Sequence, residues 1–277
     1  MKTAIHSSLG LLIIAVMSTA ASAQDAGDYH PFLSSKFQIG IGVFAPRKSF
    51  QIQVDGEDPG GNIDFEESLK VDDSESTPSL DFRWRFGEKW SFWGQYWKVN
   101  SKGGGILTKD VQWEDLVFKE GSFANAGVDL TVARMFFGRT MMSSNRYEFG
   151  LGAGLHWMDF GAFLEGEIIG ENDSTEFQRG AVDASFPLPN VGAWYMYSWS
   201  AKWVASARID WLSVSIGDYS GGLWSASAGI NYQAFKNVGI GLSYTNFDLN
   251  VDVDKDDWHG TVETRQHGPR LTLTTSW

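Results

Sequence analysis

The last eight residues, Arg270 to Trp277, alternate apolar with polar and stop on an aromatic side chain. Leu271, Leu273 and Trp277 fall on one face at period 2, and Arg270, Thr272, Thr274 and Ser276 on the other, the pattern of a strand with one apolar side. Such a strand, finishing without a tail, is expected to pair with an early strand so that no sheet edge is left open.

The opening of the chain suggests where that strand lives. Lys2 precedes the apolar run Leu11 to Val16, and Ala21, Ser22 and Ala23 follow it. A basic start, an apolar stretch and an A-x-A site read as a cleaved export signal over residues 1–23, with the mature chain starting at Gln24. The apolar run is far short of the roughly 20 residues a spanning helix needs. Elsewhere the apolar residues are dispersed: 43% of the chain is hydrophobic, with 31 Gly and 13 Trp, yet mean hydropathy is only -0.22. Dispersal of that kind is what alternating lipid-facing and lumen-facing positions produce. There is no Cys, which removes disulfides and thiolate metal sites and leaves an exported chain to be held by its own strand ladder.

Ten alternating segments can be read. Residues 24–35 form an N-terminal periplasmic segment, and residues 36–277 hold the strands. Phe37, Ile39, Ile41 and Val43 mark the first strand; Leu80, Phe82, Trp84 and Phe86 the second; Phe92 and Tyr96 the third. Val128 to Phe137 and Tyr147 to Trp157 follow, then Val191 to Ser198, Trp203 to Trp211, Trp224 to Tyr232, Val238 to Tyr244 and the terminal strand. Short connections near residues 87, 141, 200 and 236 alternate with mostly longer, polar ones. Phe50, Ile52 and Val54, with Ile63 and Phe65, could add two strands and make twelve; the nine carboxylates between Asp55 and Glu75 favour instead a hairpin projecting above the membrane. Aromatic residues recur eight apart on one face, at Trp203 and Trp211 and again at Trp224 and Tyr232. Eight residues of strand, tilted by roughly 40 degrees, rise ~20 Å, near the height of an apolar band with an aromatic girdle at each interface.

These features together resemble the small bacterial outer-membrane β-barrel proteins. The resemblance covers nearly the whole mature chain and implies an all-β, antiparallel transmembrane barrel with short periplasmic turns and long external loops, in the outer membrane of a Gram-negative cell. It also implies that Leu271, Leu273 and Trp277 carry the signal read by the barrel assembly machinery, and that lipid and lipopolysaccharide surround the protein.

The alternation places Asp81, Arg83, Arg85, Glu148, His156, Arg208, Asp210 and Arg270 toward the lumen, with Lys36, Gln38, Asn231 and Gln233. In a narrow barrel such mixed charges are expected to pair and fill the interior, giving a structural or surface-interaction role; a narrow small-solute channel is the alternative. An outer-membrane lipid-modifying enzyme needs a Ser, a His and an acid close together. His156 and Glu148 share a face but lie eight residues apart, too far for direct contact along a strand, so no catalytic set and no cofactor is expected. Asp252, Asp254, Asp256 and Glu263 have the carboxylate spacing of a calcium loop. Asp257 stands where that loop needs Gly, which leaves at most loose divalent cations at the external loops. The net charge of -12 excludes a nucleic-acid partner.

Overall fold

The structure, a computed structural model, describes residues 29–55, 63–64, 76–108, 110–113, 116–169, 175–216, 219–255 and 258–277. The export-signal residues 1–23 lie outside them. Fourteen strands run in chain order: β1 (Phe37–Phe44), β2 (Arg47–Asp55), β3 (Ile63–Asp64), β4 (Thr77–Phe86), β5 (Trp90–Ile106), β6 (Val111–Trp113), β7 (Leu116–Phe118), β8 (Phe123–Ser143), β9 (Tyr147–Ile169), β10 (Thr175–Ser200), β11 (Trp203–Ile216), β12 (Tyr219–Gln233), β13 (Val238–Lys255) and β14 (Trp258–Ser276). Ten of them, β1, β4, β5 and β8 to β14, form an antiparallel sheet in which each pairs with the next. The sheet closes where β1 pairs β14, from Gln38 opposite Ser276 to Phe44 opposite Arg270. The terminal strand therefore meets the first one, and the amides of Lys36 and Phe37 both donate to the Trp277 carbonyl at 2.9 Å.

The count of ten stands against twelve because of how the acidic segment is used. After Ala45 and Pro46 the chain continues as β2 along the outer part of β14, Arg47 opposite His267 and Asp55 opposite His259. The returning β3 is two residues long and pairs only at Gln51 and Ile52. It adds a small outer hairpin, not a spanning pair.

The short turns, at residues 87–89, 144–146, 201–202 and 234–237, share one end of the barrel with the start of β1 and the end of β14. Gly87 supplies the positive φ, 61°, that the first of these turns requires. At the other end the long polar segments are mostly ladder. β9 and β10 stay in register from Tyr147 opposite Tyr197 to Ile169 opposite Thr175, so the external segments are tall hairpins. The chain between β5 and β8 folds into the hairpin of β6 and β7, and Phe118 pairs Ile168 on β9.

The alternation inverts along the barrel. In the half near the short turns, apolar side chains point outward and are exposed, among them Ile41, Leu80, Leu151, Ile230, Leu242 and Leu271. In the outer half the apolar side chains point inward and are buried: Trp97 and Val99 on β5, Leu130 and Val132 on β8, Met158 and Phe160 on β9, Phe247 and Leu249 on β13. An exposed apolar belt running around a closed barrel is a surface for lipid and not for water. Aromatic pairs bound it: Trp203 faces Tyr232 with ring centroids 4.8 Å apart, and eight residues along the same strands Trp211 faces Trp224. Above this belt the barrel is built like a water-soluble one, with its core inside.

Candidate functional site

The inner half of the lumen holds the clustered arginines and carboxylates. Arg83 and Arg85 on β4 both bind Glu148 on β9, whose Oε1 also accepts from Trp194 Nε1 at 2.8 Å. Asp210 on β11 accepts from Arg134 on β8 at 2.8 Å, from Arg208 at 2.9 Å and from Asn190 at 3.0 Å. Asp81 accepts from Arg270 at 3.0 Å and from Gln95 at 2.7 Å. Each carboxylate thus holds one or two guanidiniums in a medium where an unpaired charge would be costly. The arginines also lie over aromatic rings: Arg83 sits 4.4 Å from the Trp93 centroid, Arg208 4.3 Å and Arg134 4.6 Å from that of Phe136. Stacking lets planar guanidiniums share a narrow lumen.

Glycines make room for the rings. A Cβ on Gly150 would stand 2.1 Å from Trp194, and one on Gly138 2.4 Å from the same ring. Only the bare backbone at these two positions lets the indole lie flat against the wall.

The described residues before β1 fill the mouth at the short-turn end. Pro31–Leu33 form a single 3-10 turn. Gln38 and Arg83 donate to the Phe32 carbonyl at 2.9 and 3.1 Å, and Arg85 donates to that of Leu33. His30 is 1% exposed; its amide donates to Ser198 Oγ and its Nδ1 accepts from the Phe32 amide. Burial holds the His30 imidazole down at about 4, with the Asn231 side chain working in the opposite direction. The described part of the N-terminal segment is therefore an inner plug. Phe32 and Leu33 pack on Phe136, Trp194, Met196 and Val204.

Between this plug and the outer apolar core lies a cavity of about 200 Å³. One wall is small and hydroxylated, with Ser206, Ser225, Ser227, Ser243 and Thr272 on β11 to β14. Arg83, Arg134, Arg208 and Arg270 also line it, as do Asp81 and Asp210.

Of the residues singled out in the sequence, Asp81, Arg83, Arg85, Glu148, Arg208, Asp210 and Arg270 come together in three linked clusters. His156 is buried beside Phe247, ring centroids 6.1 Å apart, and makes no hydrogen bond to a hydroxyl or carboxylate among the described residues. Lys36 is exposed at the mouth, its ammonium 5.7 Å from the Phe37 centroid. Asn231 donates to Thr274, and Gln233 to the turn carbonyls of Phe235 and Lys236. Leu271, Leu273 and Trp277 are exposed on the outer face.

The acidic string lies in the tall hairpin of β13 and β14. Asp252 accepts from Thr261 at 2.7 Å and Glu263 from Asn250 at 2.9 Å. Asp254 pairs His259 in the ladder, and Asp256 lies outside the described residues. No group of three metal-ligating side chains gathers among the described residues.

Arg134, Trp194, Phe136 and the plug carbonyls are partners the sequence reading did not single out. The signal for Arg134 was present, since it shares parity with Leu130 and Val132. On β8 that inward face mixes apolar and charged residues, so no clean alternation marked it.

No protein-family model matches the chain, and no curated protein matches it at a significant level. Solved structures do match its shape. The outer membrane protease OmpT from Escherichia coli superposes with a TM-score of 0.58 at 10% identity, covering 92% of this chain and 100% of that one. The Pseudomonas putida toluene transporter TodX gives 0.39 at 8% identity, over 90% and 92% of the two chains. Ail, the attachment invasion locus protein of Yersinia pestis, gives 0.32 at 12%, over 86% and 98%.

Proposed function

We propose that this chain, which has the fold of the outer-membrane β-barrel proteins, is an outer-membrane barrel whose role is structural or surface-interacting, with a lumen that does not conduct. The filling of the interior is the observation that carries the reading. The outer half is occupied by Trp97, Phe118, Met158, Phe247 and their neighbours, and the mouth by the turn from Pro31 to Leu33. Between them the arginine clusters span the lumen. Side chains that pair across a narrow barrel fill it instead of lining a wide path.

The tall hairpins present polar and acidic residues above the lipid belt, where contact with other envelope components or with loosely held divalent cations would occur. No reaction belongs to this reading, because His156 is buried and is joined to no nucleophile among the described residues. The export signal over residues 1–23 and assembly through the terminal aromatic strand are part of it.

Recordings from purified protein in planar bilayers test the closed lumen. No steady open channel is expected, and a sustained conductance would transfer the assignment to a narrow solute channel. Deletion of Trp277 tests the assembly part. It removes the stacking of Trp277 on Phe37, centroids 5.7 Å apart, and the carbonyl that holds two amides. The yield of heat-modifiable barrel in outer-membrane fractions should fall severalfold; an unchanged yield would show that the terminal residue carries no assembly signal.

A further inference from the structure

We infer that the lumen cavity is a binding site for one small oxyanion, of the phosphate or sulfate class, held by the arginines that line it. Two independent counts lead there. The first is charge. Arg83, Arg85, Arg134, Arg208 and Arg270 share the inner lumen with three carboxylates, Asp81, Glu148 and Asp210. The described side chains there thus carry an excess of two positive charges in a space where uncompensated charge is expensive.

The second is hydrogen bonding. Arg270 is 4% exposed and gives Asp81 only its Nη1, while its Nε and Nη2 have no partner among the described residues. Those two N–H groups form the side of the guanidinium that can grip two oxygens of one oxyanion once the side chain turns it toward the cavity. Arg83 Nε and Arg134 Nε are also buried without partners, and both residues line the same cavity. Among the fully buried side-chain atoms of the lining residues, four unpaired donors thus stand against one unpaired acceptor, Asn231 Oδ1. A surplus of donors and of positive charge around one space selects an anion over a cation or a neutral sugar.

The space is adequate. A water needs roughly 10–15 Å³ of such volume, and the cavity has about 200 Å³. The opposite wall offers hydroxyls at Ser227, Ser243 and Thr272, which can donate to the remaining oxygens. The Arg270 guanidinium lies 5.2 Å from the Phe44 centroid and 5.9 Å from that of Trp97.

The inference rests on the cavity and its arginines, not on the absence of conduction. The full-length protein is refolded in detergent with or without inorganic phosphate, desalted and assayed for retained phosphate and for thermal unfolding. About one phosphate per barrel and a raised unfolding temperature are expected, with sulfate competing and chloride failing to compete. Arg270→Lys keeps a charge for Asp81 but lacks the fork, and should weaken retention about tenfold or more. Ser227→Leu leaves every arginine in place, narrows the cavity, removes a hydroxyl from its wall and should weaken retention, the heat-modifiable gel shift confirming in each variant that the barrel has formed. A folded wild-type barrel that retains no phosphate and gains no stability from it at millimolar concentration overturns the proposal. Equal competition by chloride overturns the oxyanion assignment. Bilayer recordings on the same preparation report on the closed lumen separately.

Discussion

The two halves of this barrel use one ladder to solve opposite problems. Near the short turns the sheet separates lipid outside from charge inside; beyond the aromatic residues at Trp211 and Trp224 it separates water outside from an apolar core inside. The switch is local. On β13 the apolar residues Ile240, Leu242 and Tyr244 face out, and Phe247, Leu249 and Val251 face in. The strand does not turn over between them; the sequence changes parity. A barrel wall therefore has no intrinsic inner or outer chemistry, and the residue where the parity changes marks the height at which the surrounding medium changes.

The contrast predicts different sensitivities for the two halves. Glu148→Ala should do the most damage, because it strands Arg83, Arg85 and the Trp194 N–H in a buried site. A loss of about 4 kcal/mol is expected, read as a lower urea midpoint in lipid vesicles. A loss below ~1 kcal/mol would mean that the inner half is not held by charge pairing. Leu130→Ala, in the outer core and wholly buried, should cost about 3 kcal/mol. Its cost should be the same at low and high salt, since it removes packing alone; a salt-dependent value would blur the distinction between the halves.

The smallest effect is expected at the mouth. His30 sits at about 4 in the folded protein, below the ordinary value near 6.5. A base depressed on folding contributes stability in full above its unfolded value, and loses it as pH falls from about 6.5 through about 4. Acidification should therefore release the turn from Pro31 to Leu33 while the ladder stays intact. Limited proteolysis near residue 35 at pH 7 and pH 4 checks this. His30→Gln, which cannot take up a proton, should show the same cleavage at both.

The parity change also explains what could be read in the sequence and what could not. Tyr147 to Trp157, Trp203 to Trp211, Trp224 to Tyr232 and Val238 to Tyr244 lie wholly inside the lipid belt, where alternation is clean, and their pairing follows from it. Past Trp157 on β9 the apolar residues Met158, Phe160 and Leu164 occupy the other parity, so a pattern followed in one phase ends there although the strand runs on to Ile169. The polar outer segments looked like loops for the same reason. The lumen charges on β4, β9, β11 and β14 were legible because each sits opposite a lipid-facing residue. Their pairing was not: Arg83 and Glu148 are 65 positions apart, and nothing local indicates which arginine meets which carboxylate. The inner plug was illegible too, because a three-residue turn leaves no periodic trace.

The seam between β1 and β14 has a consequence in time. Every other neighbouring pair in the barrel wall apart from β1 with β4 and β5 with β8 is a hairpin between consecutive strands. The seam joins Gln38 to Ser276, the longest separation in the wall, and loop closure is the more costly the longer the intervening chain. Ring closure should therefore come last and limit the rate of assembly. Substitutions at the seam, such as Ile41→Ala, should slow the final step of refolding more than substitutions in the tall hairpin of β9 and β10, which is in place before the ring shuts.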